Sequence, residues 1–301
     1  MAARGIVGLF LAPVLVQAQA VSVEIRNSEV WLAGHGPDRQ LTHDGKAKVA
    51  ALLSPAGNRI AYWDLCPQAE RCTPSVVILD LEGHRLQSFK VKLASAGPDG
   101  TCASILSIAW AGDGAIAAEC HLNPSLSEYV VTDIATGRSR LDLLGYDFTP
   151  SPDGRLVAHV GWIIHFAPPS SQSEYLQIGN TTVYPQLHAK EPYLAPRIGN
   201  TYVGIHDFMP GFFWSPDSTR VAFIDCTYDW TPDSPEALSA AQGRESNWRC
   251  ALAVARPDGE STRFPLPDAS PEDLGAAHLR WITAHKLSIE ATGHAWTFEV
   301  G

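Results

Sequence analysis

Apolar and polar positions alternate along this chain in short bursts, and one burst recurs. Ser151–Val160 reads SPDGRLVAHV and Ser215–Ile224 reads SPDSTRVAFI. Ser54–Trp63 (SPAGNRIAYW) and Ala111–Cys120 (AGDGAIAAEC) keep the same order of polar turn and apolar run. Seven residues after each start stands an alanine: Ala61, Ala118, Ala158 and Ala222. A fixed small position inside a β-favouring run predicts a strand against which a neighbouring sheet packs closely. A fifth, weaker copy in LRWITAHKLSIEA puts Ser288 at that position. Trp110, Trp214 and Trp281 stand directly before their turns. Tryptophan there is expected to fill the space between neighbouring sheets.

The turns account for their own aspartates. Proline at the second position fixes φ, and Asp can bond the backbone ahead of it. Asp153 and Asp217 are therefore expected to shape turns rather than to catalyse. After the first, second and fourth copies a further apolar strand ends at Glu82-Gly83, Thr136-Gly137 or Asp258-Gly259, and another strand runs back. These are hairpin signals. Each repeat reads as four antiparallel strands, and repeated units of this kind build an all-β β-propeller.

The phrases WSPDSTRVAF (Trp214–Phe223) and SPDGRLVAHV resemble the repeats of TolB-type propellers, also found in the propeller of prolyl-oligopeptidase-like enzymes. EVWLAGHGPDRQLT (Glu29–Thr42) resembles the outer strands of such a blade. The resemblance runs through nearly all of the chain after residue 20 and implies a propeller fold. It includes neither a TolB-type N-terminal domain nor a hydrolase domain. Five blades are expected, with the N-terminal strands completing the last blade; six is the alternative, with those strands forming a partial blade of their own.

Residues 1–20 read as a secretory signal: Arg4, the apolar run GIVGLFLAPVLV, then small residues at Ala18 and Ala20. The run is too short to span a bilayer, which takes roughly 20 residues. Residues 21–301 then form a single propeller domain in the periplasm or outside the cell. The formal net charge of −10 argues against a nucleic-acid partner, and no membrane insertion is expected. Two insertions stand out, near 161–209 and 227–249. The first holds two IGNT phrases that read as an extra pair of hairpins. The second is expected to carry a short helix capped by Ser234.

Six cysteines in an exported chain point to disulfides, and six allow 15 pairings. Placed on the blades, they flank loops, which predicts Cys66–Cys72, Cys102–Cys120 and Cys226–Cys250. No CxxC or HExxH motif occurs, and neither a metal nor another cofactor is expected. No GxSxG elbow occurs either. Acids that could act at a channel mouth are Glu119, Asp147, Asp207 and Asp229, with His159, His165 and His206. The expected role is a monomeric, non-catalytic module that binds another protein or peptide through Trp162, Tyr228, Trp230 and Trp248 on the longest loops. The alternative is a propeller hydrolase of glycosidase or lactonase type, using acidic or histidine residues at the mouth.

Overall fold

The computed structural model describes residues 21–34, 36–65, 74–97, 100–124, 126–163, 167–185, 189–209, 211–234 and 242–301. The first sheet holds β1 (Ser22–Arg26), β2 (Glu29–Ala33) and β3 (Arg39–Gln40). Blade one is β4 (Lys48–Leu53), β5 (Arg59–Asp64), β6 (Ser75–Asp80) and β7 (Arg85–Phe89), in that spatial order. Blade two is β8 (Ile105–Trp110), β9 (Ala115–Asn123), β10 (Leu126–Asp133) and the first half of β11 (Ser139–Pro150). The second half of β11 opens blade three, which continues through β12 (Val157–Gly161), β13 (Leu176–Ile178) and β14 (Thr181–Tyr184). In blade four, β15 (Arg197–Ile198) forms a hairpin with β16 (Thr201–Phe208). β16 and β17 (Phe213–Trp214) share one edge of β18 (Val221–Pro232), and β19 (Gly243–Ala255) and β20 (Ser261–Pro265) follow. A short helix, α1 (Pro271–Leu274), leads to the last sheet: β21 (His278–Thr283), β22 (Lys286–Ala291) and β23 (His294–Glu299). Successive antiparallel sheets, each built inner strand to outer strand and packed on the next, make a β-propeller.

β11 changes blades at Gly145, which pairs with Ser127 on one side and Gly161 on the other. A Cβ there would collide with the Val160 carbonyl oxygen. Only glycine lets the two blades share one strand at this point.

The N-terminal strands do not complete the last blade. β1, β2 and β3 pair only with one another among the described residues. Their apolar face, with Val23, Val30 and Leu32, packs on blade one. A buried ion pair fixes the join. Lys48 at the start of β4 has a fully buried side chain and reaches Glu29 at 3.3 Å, Asp44, and the Ser28 carbonyl at 3.1 Å. Glu29 also accepts bonds from Thr42 and from the Gly45 N–H. The described strands thus fall into six groups, the alternative in which the N-terminal strands stand apart.

The recurring alanine has a structural cause. In each blade it pairs across the ladder with the residue just before the tryptophan position: Leu52↔Ala61, Thr149↔Ala158 and Phe213↔Ala222. The tryptophan of the next blade reaches back to that spot. Trp110 Nε1 donates to the Leu52 carbonyl at 3.1 Å, Trp214 to Thr149 at 2.8 Å, and Trp281 to Phe213 at 2.8 Å. Ala61 and Trp110 belong to one core cluster, Ala158 and Trp214 to a second, Ala222 and Trp281 to a third. A side chain longer than a methyl would occupy the space of the indole.

Two expectations about the repeat need correction. In blade two the small slot is Ala117, not Ala118. The turn closes with Ala111 N–H to the Ala115 carbonyl, one residue tighter than Ser151 to Leu156 or Ser215 to Arg220. Ala109 accordingly pairs with Ala117, which belongs to the core between blades two and three. Ser288 takes the expected register opposite Arg280 but is half-buried, whereas the alanines are buried.

Both IGNT phrases turn hairpins, as expected, but the first belongs to a blade rather than to an addition. The first turns between β13 and β14, the outer strands of blade three; the second turns between β15 and β16. The second insertion extends β18 and β19 as a long hairpin arm, from Pro232↔Gly243 inward. The predicted helix after Ser234 lies outside the described residues. Cys102 is bonded to Cys120, and Cys226 to Cys250. Cys226 and Cys250 are directly opposed in the arm, so this disulfide staples paired strands rather than a loop. The third expected pair, Cys66–Cys72, lies outside the described residues. Asp153 and Asp217 shape their turns, accepting from Ser151 at 2.6 Å and Ser215 at 2.5 Å and from the backbone N–H two residues on.

At the junction of blades two and three the indole is missing, because Pro150 stands where blade two, blade four and the last sheet carry tryptophan. A cavity of about 740 Å³ opens there, lined in part by Ala109 and Pro150. Overpacking a filled slot should cost ~1–3 kcal/mol. Ala158→Leu, under Trp214, is expected to pay that cost, and Ala109→Leu, lining the unfilled junction, to be destabilised by at least ~1 kcal/mol less. Urea unfolding of the two variants measures the difference.

Candidate functional site

The turns of the SPDG type lie at one end of the blades. The other end carries the insertions, and several carboxylates meet there. Glu174 precedes β13 and bridges two blades. Its carboxyl accepts from the Tyr146 hydroxyl of blade three at 2.5 Å and from the Phe208 N–H of blade four. The backbone of this segment lies along β16: Glu174 N–H donates to the His206 carbonyl at 2.9 Å, and the His206 N–H donates to Ser173 Oγ at 3.1 Å. Burial, with the charges of Asp207 and Asp147 nearby, pushes the Glu174 carboxyl up to about 8. Asp207 is raised by burial and by Glu245 and Asp225. Glu119 is raised by burial and by Asp147. Burial and these same carboxylates carry the Tyr146 and Tyr228 phenols above their usual range. Glu119, Asp147, Glu174, Asp207 and Glu245 thus form a linked acidic mouth.

Asp147 is exposed and sits at a bulge of β11, at φ 57°. The bulge re-aims its side chain relative to a regular strand. Beside the acids, Tyr228 of β18 stacks on Trp248 of β19, with centroids 4.4 Å apart and planes at 25°. Trp162 follows β12 with 49% of its surface exposed. It borders a small cavity of about 150 Å³ with Ile163, Ala167, Ser171 and Tyr193.

Trp230 must be withdrawn from the expected binding set. It is buried, its ring lies against Gly243 and near Tyr202, and a Cβ at Gly243 would meet the indole. It holds the base of the arm together. The remaining three are not one patch: Tyr228 and Trp248 touch each other, and Trp162 belongs to blade three.

The other expected acids and histidines divide by role. Asp229 accepts from the Gly204 N–H at 3.0 Å and from Asn247 at 2.8 Å, and these bonds hold its carboxyl below the usual range. It pins the arm to β16. His159 is buried with both ring nitrogens facing backbone carbonyls, and burial lowers its affinity for a proton. His206 Nδ1 lies 2.9 Å from Asp225, a fully buried carboxylate that also meets Arg263 at 3.1 Å and Tyr184 at 2.5 Å. This network lies beside the core between blades three and four. His165 lies outside the described residues. Among the described residues, no group of three or more His, Cys, Asp or Glu side chains is arranged to hold a metal ion.

No protein-family model matches the sequence. None of the curated proteins matches it either. Solved structures of similar fold include the tricorn protease, with 8% identity and a TM-score of 0.41 over 93% of this chain. This chain spans 32% of that protease's length. The propeller domain of the Trilobed protease from Pyrococcus furiosus shows 10% identity and a TM-score of 0.40, covering 93% of this chain and 81% of the domain. TolB from Acinetobacter baumannii shows 12% identity and a TM-score of 0.35, covering 82% of this chain and 63% of TolB. The likeness concerns fold alone; the propeller architecture described above stands on strand order and packing.

Glu174 gives a pH test. The folded state keeps a proton that the unfolded state releases above about 4.5, so the stability this group contributes is present at low pH and is lost as pH rises toward 8. Thermal unfolding from pH 5 to pH 8 should show a smaller fall in midpoint for Glu174→Gln than for the wild type. Parallel curves for the two proteins would remove Glu174 from this role.

Proposed function

We propose that this chain is an exported, monomeric, non-catalytic propeller whose insertion face binds a basic segment of another protein or peptide. The observation that carries this reading is the Tyr228–Trp248 stack beside Asp207 and Glu245, with the exposed Trp162 on blade three. Aromatic side chains supply contact area at little entropic cost, and the acids supply complementarity to lysine and arginine. The face sits on a stiff support, because the Cys226–Cys250 staple and the Asp229 bonds fix the arm. Two disulfides fit an oxidising compartment outside the cytoplasm. No helix among the described residues is long and apolar enough to cross a membrane. The mature chain would begin at Val21, in the periplasm or beyond the cell.

Affinity capture from a cell-envelope extract tests the assignment. The wild-type protein should retain a defined set of partners, and retention should fall as salt rises from about 0.05 to about 0.5 M. Trp248→Ala with Glu245→Gln should lose the same set. If the double variant retains the same proteins as the wild type at all salt concentrations, the insertion face is not the binding surface.

A further inference from the structure

Three junctions between sheets are closed in one way: an indole from the later strand donates to the carbonyl of the residue paired with the small slot of the earlier blade. The junction between blades two and three departs from this. Pro150 replaces the indole, and Ala109 holds the place taken by Leu52, Thr149 and Phe213 at the filled junctions. The cavity of about 740 Å³ lies there, walled by Tyr129, Val131, Leu141 and Val157 and opening on the face that carries the SPDG-type turns. Its walls are the apolar strand faces that elsewhere meet a tryptophan.

The rim is basic. Arg140 and Arg155 border the opening, with Asp153 as the acid among the lining residues. Asp153 lies 3.8 Å from Arg155, whose side chain is 84% exposed, and Asp153 is already engaged by its own turn. Arg140 gives one donor to the Ala111 carbonyl at 3.1 Å. Two guanidinium groups against one carboxylate leave the opening positively charged in a chain of net charge −10.

We propose that this junction is a docking site for a tryptophan side chain presented by an acidic segment of a partner protein. The indole would enter the unfilled slot as Trp110, Trp214 and Trp281 enter theirs, with its N–H toward the Ala109 carbonyl. Flanking aspartate or glutamate would meet Arg140 and Arg155. The cavity is larger than an indole, which leaves room for the backbone on either side. This site is on the opposite face from Trp162, Tyr228 and Trp248, and it stands or falls separately from the basic-segment reading.

The probe is the peptide acetyl-Asp-Trp-Glu-amide, with acetyl-Asp-Ala-Glu-amide as its control, measured by titration calorimetry on the full chain. The tryptophan peptide should bind at least ~10-fold more tightly than the alanine peptide, as burial of one indole allows. Pro150→Trp, which supplies the missing wedge, should reduce that binding at least ~10-fold. Ala109→Leu, which fills the slot from the other wall and leaves β11 untouched, should do the same and carries the test if Pro150→Trp fails to fold. Arg140→Gln with Arg155→Gln should weaken the peptide several-fold and flatten its salt dependence. Trp248→Ala should leave it unchanged. Equal affinity for the two peptides, absence of binding by the wild type, or unchanged binding by folded Ala109→Leu would each overturn the proposal.

Discussion

The contact on which this molecule depends is an indole lying over a methyl group. Each sheet alone is a twisted ladder with two faces to cover, and its neighbour covers one of them. Ala61, Ala158 and Ala222 keep that approach close, and Trp110, Trp214 and Trp281 use the space. The indole N–H finds a carbonyl on the neighbouring inner strand, so a large aromatic is buried without stranding its polar atom. Apolar area supplies most of the attraction, and the hydrogen bond sets the angle at which the sheets meet.

A stiff wheel of this kind frees both of its faces for other work. On one face, the arm of β18 and β19 and the segment before β13 bring Glu174, Asp207 and Glu245 close enough to feel one another. On the other, Pro150 in place of an indole leaves a cleft at the junction of blades two and three. Both features follow from local changes to a repeated unit. Neither requires a different fold.

Much of the architecture is legible in the chain itself, because period-2 alternation, SPDG turns and recurring tryptophans are local signals. The register of blade two is not. Ala111–Ala115 closes one residue tighter than its counterparts, and neighbouring alanines at 117 and 118 hide the shift. The fate of the N-terminal strands is not legible either, since Lys48 and Glu29 lie 19 positions apart and their pairing is a tertiary event. At the mouth, Asp147 and Asp207 stand out as acids on strands, but Glu174 sits in an insertion without periodicity. Its partners Tyr146 and Phe208 come from different blades. Trp230 and Trp248 look alike in sequence, and only the packing of Gly243 against the first shows which is buried.

A double-mutant cycle between Ala158 and Trp214 tests the central contact most directly, with unfolding free energies measured for Ala158→Leu, Trp214→Ala and the pair together. If the slot is small because the indole fills it, the leucine should cost ~1–3 kcal/mol with tryptophan present and at least ~1 kcal/mol less once the ring is gone. Free energies that simply add, within about 0.5 kcal/mol, would show that the two positions do not share the space claimed for them.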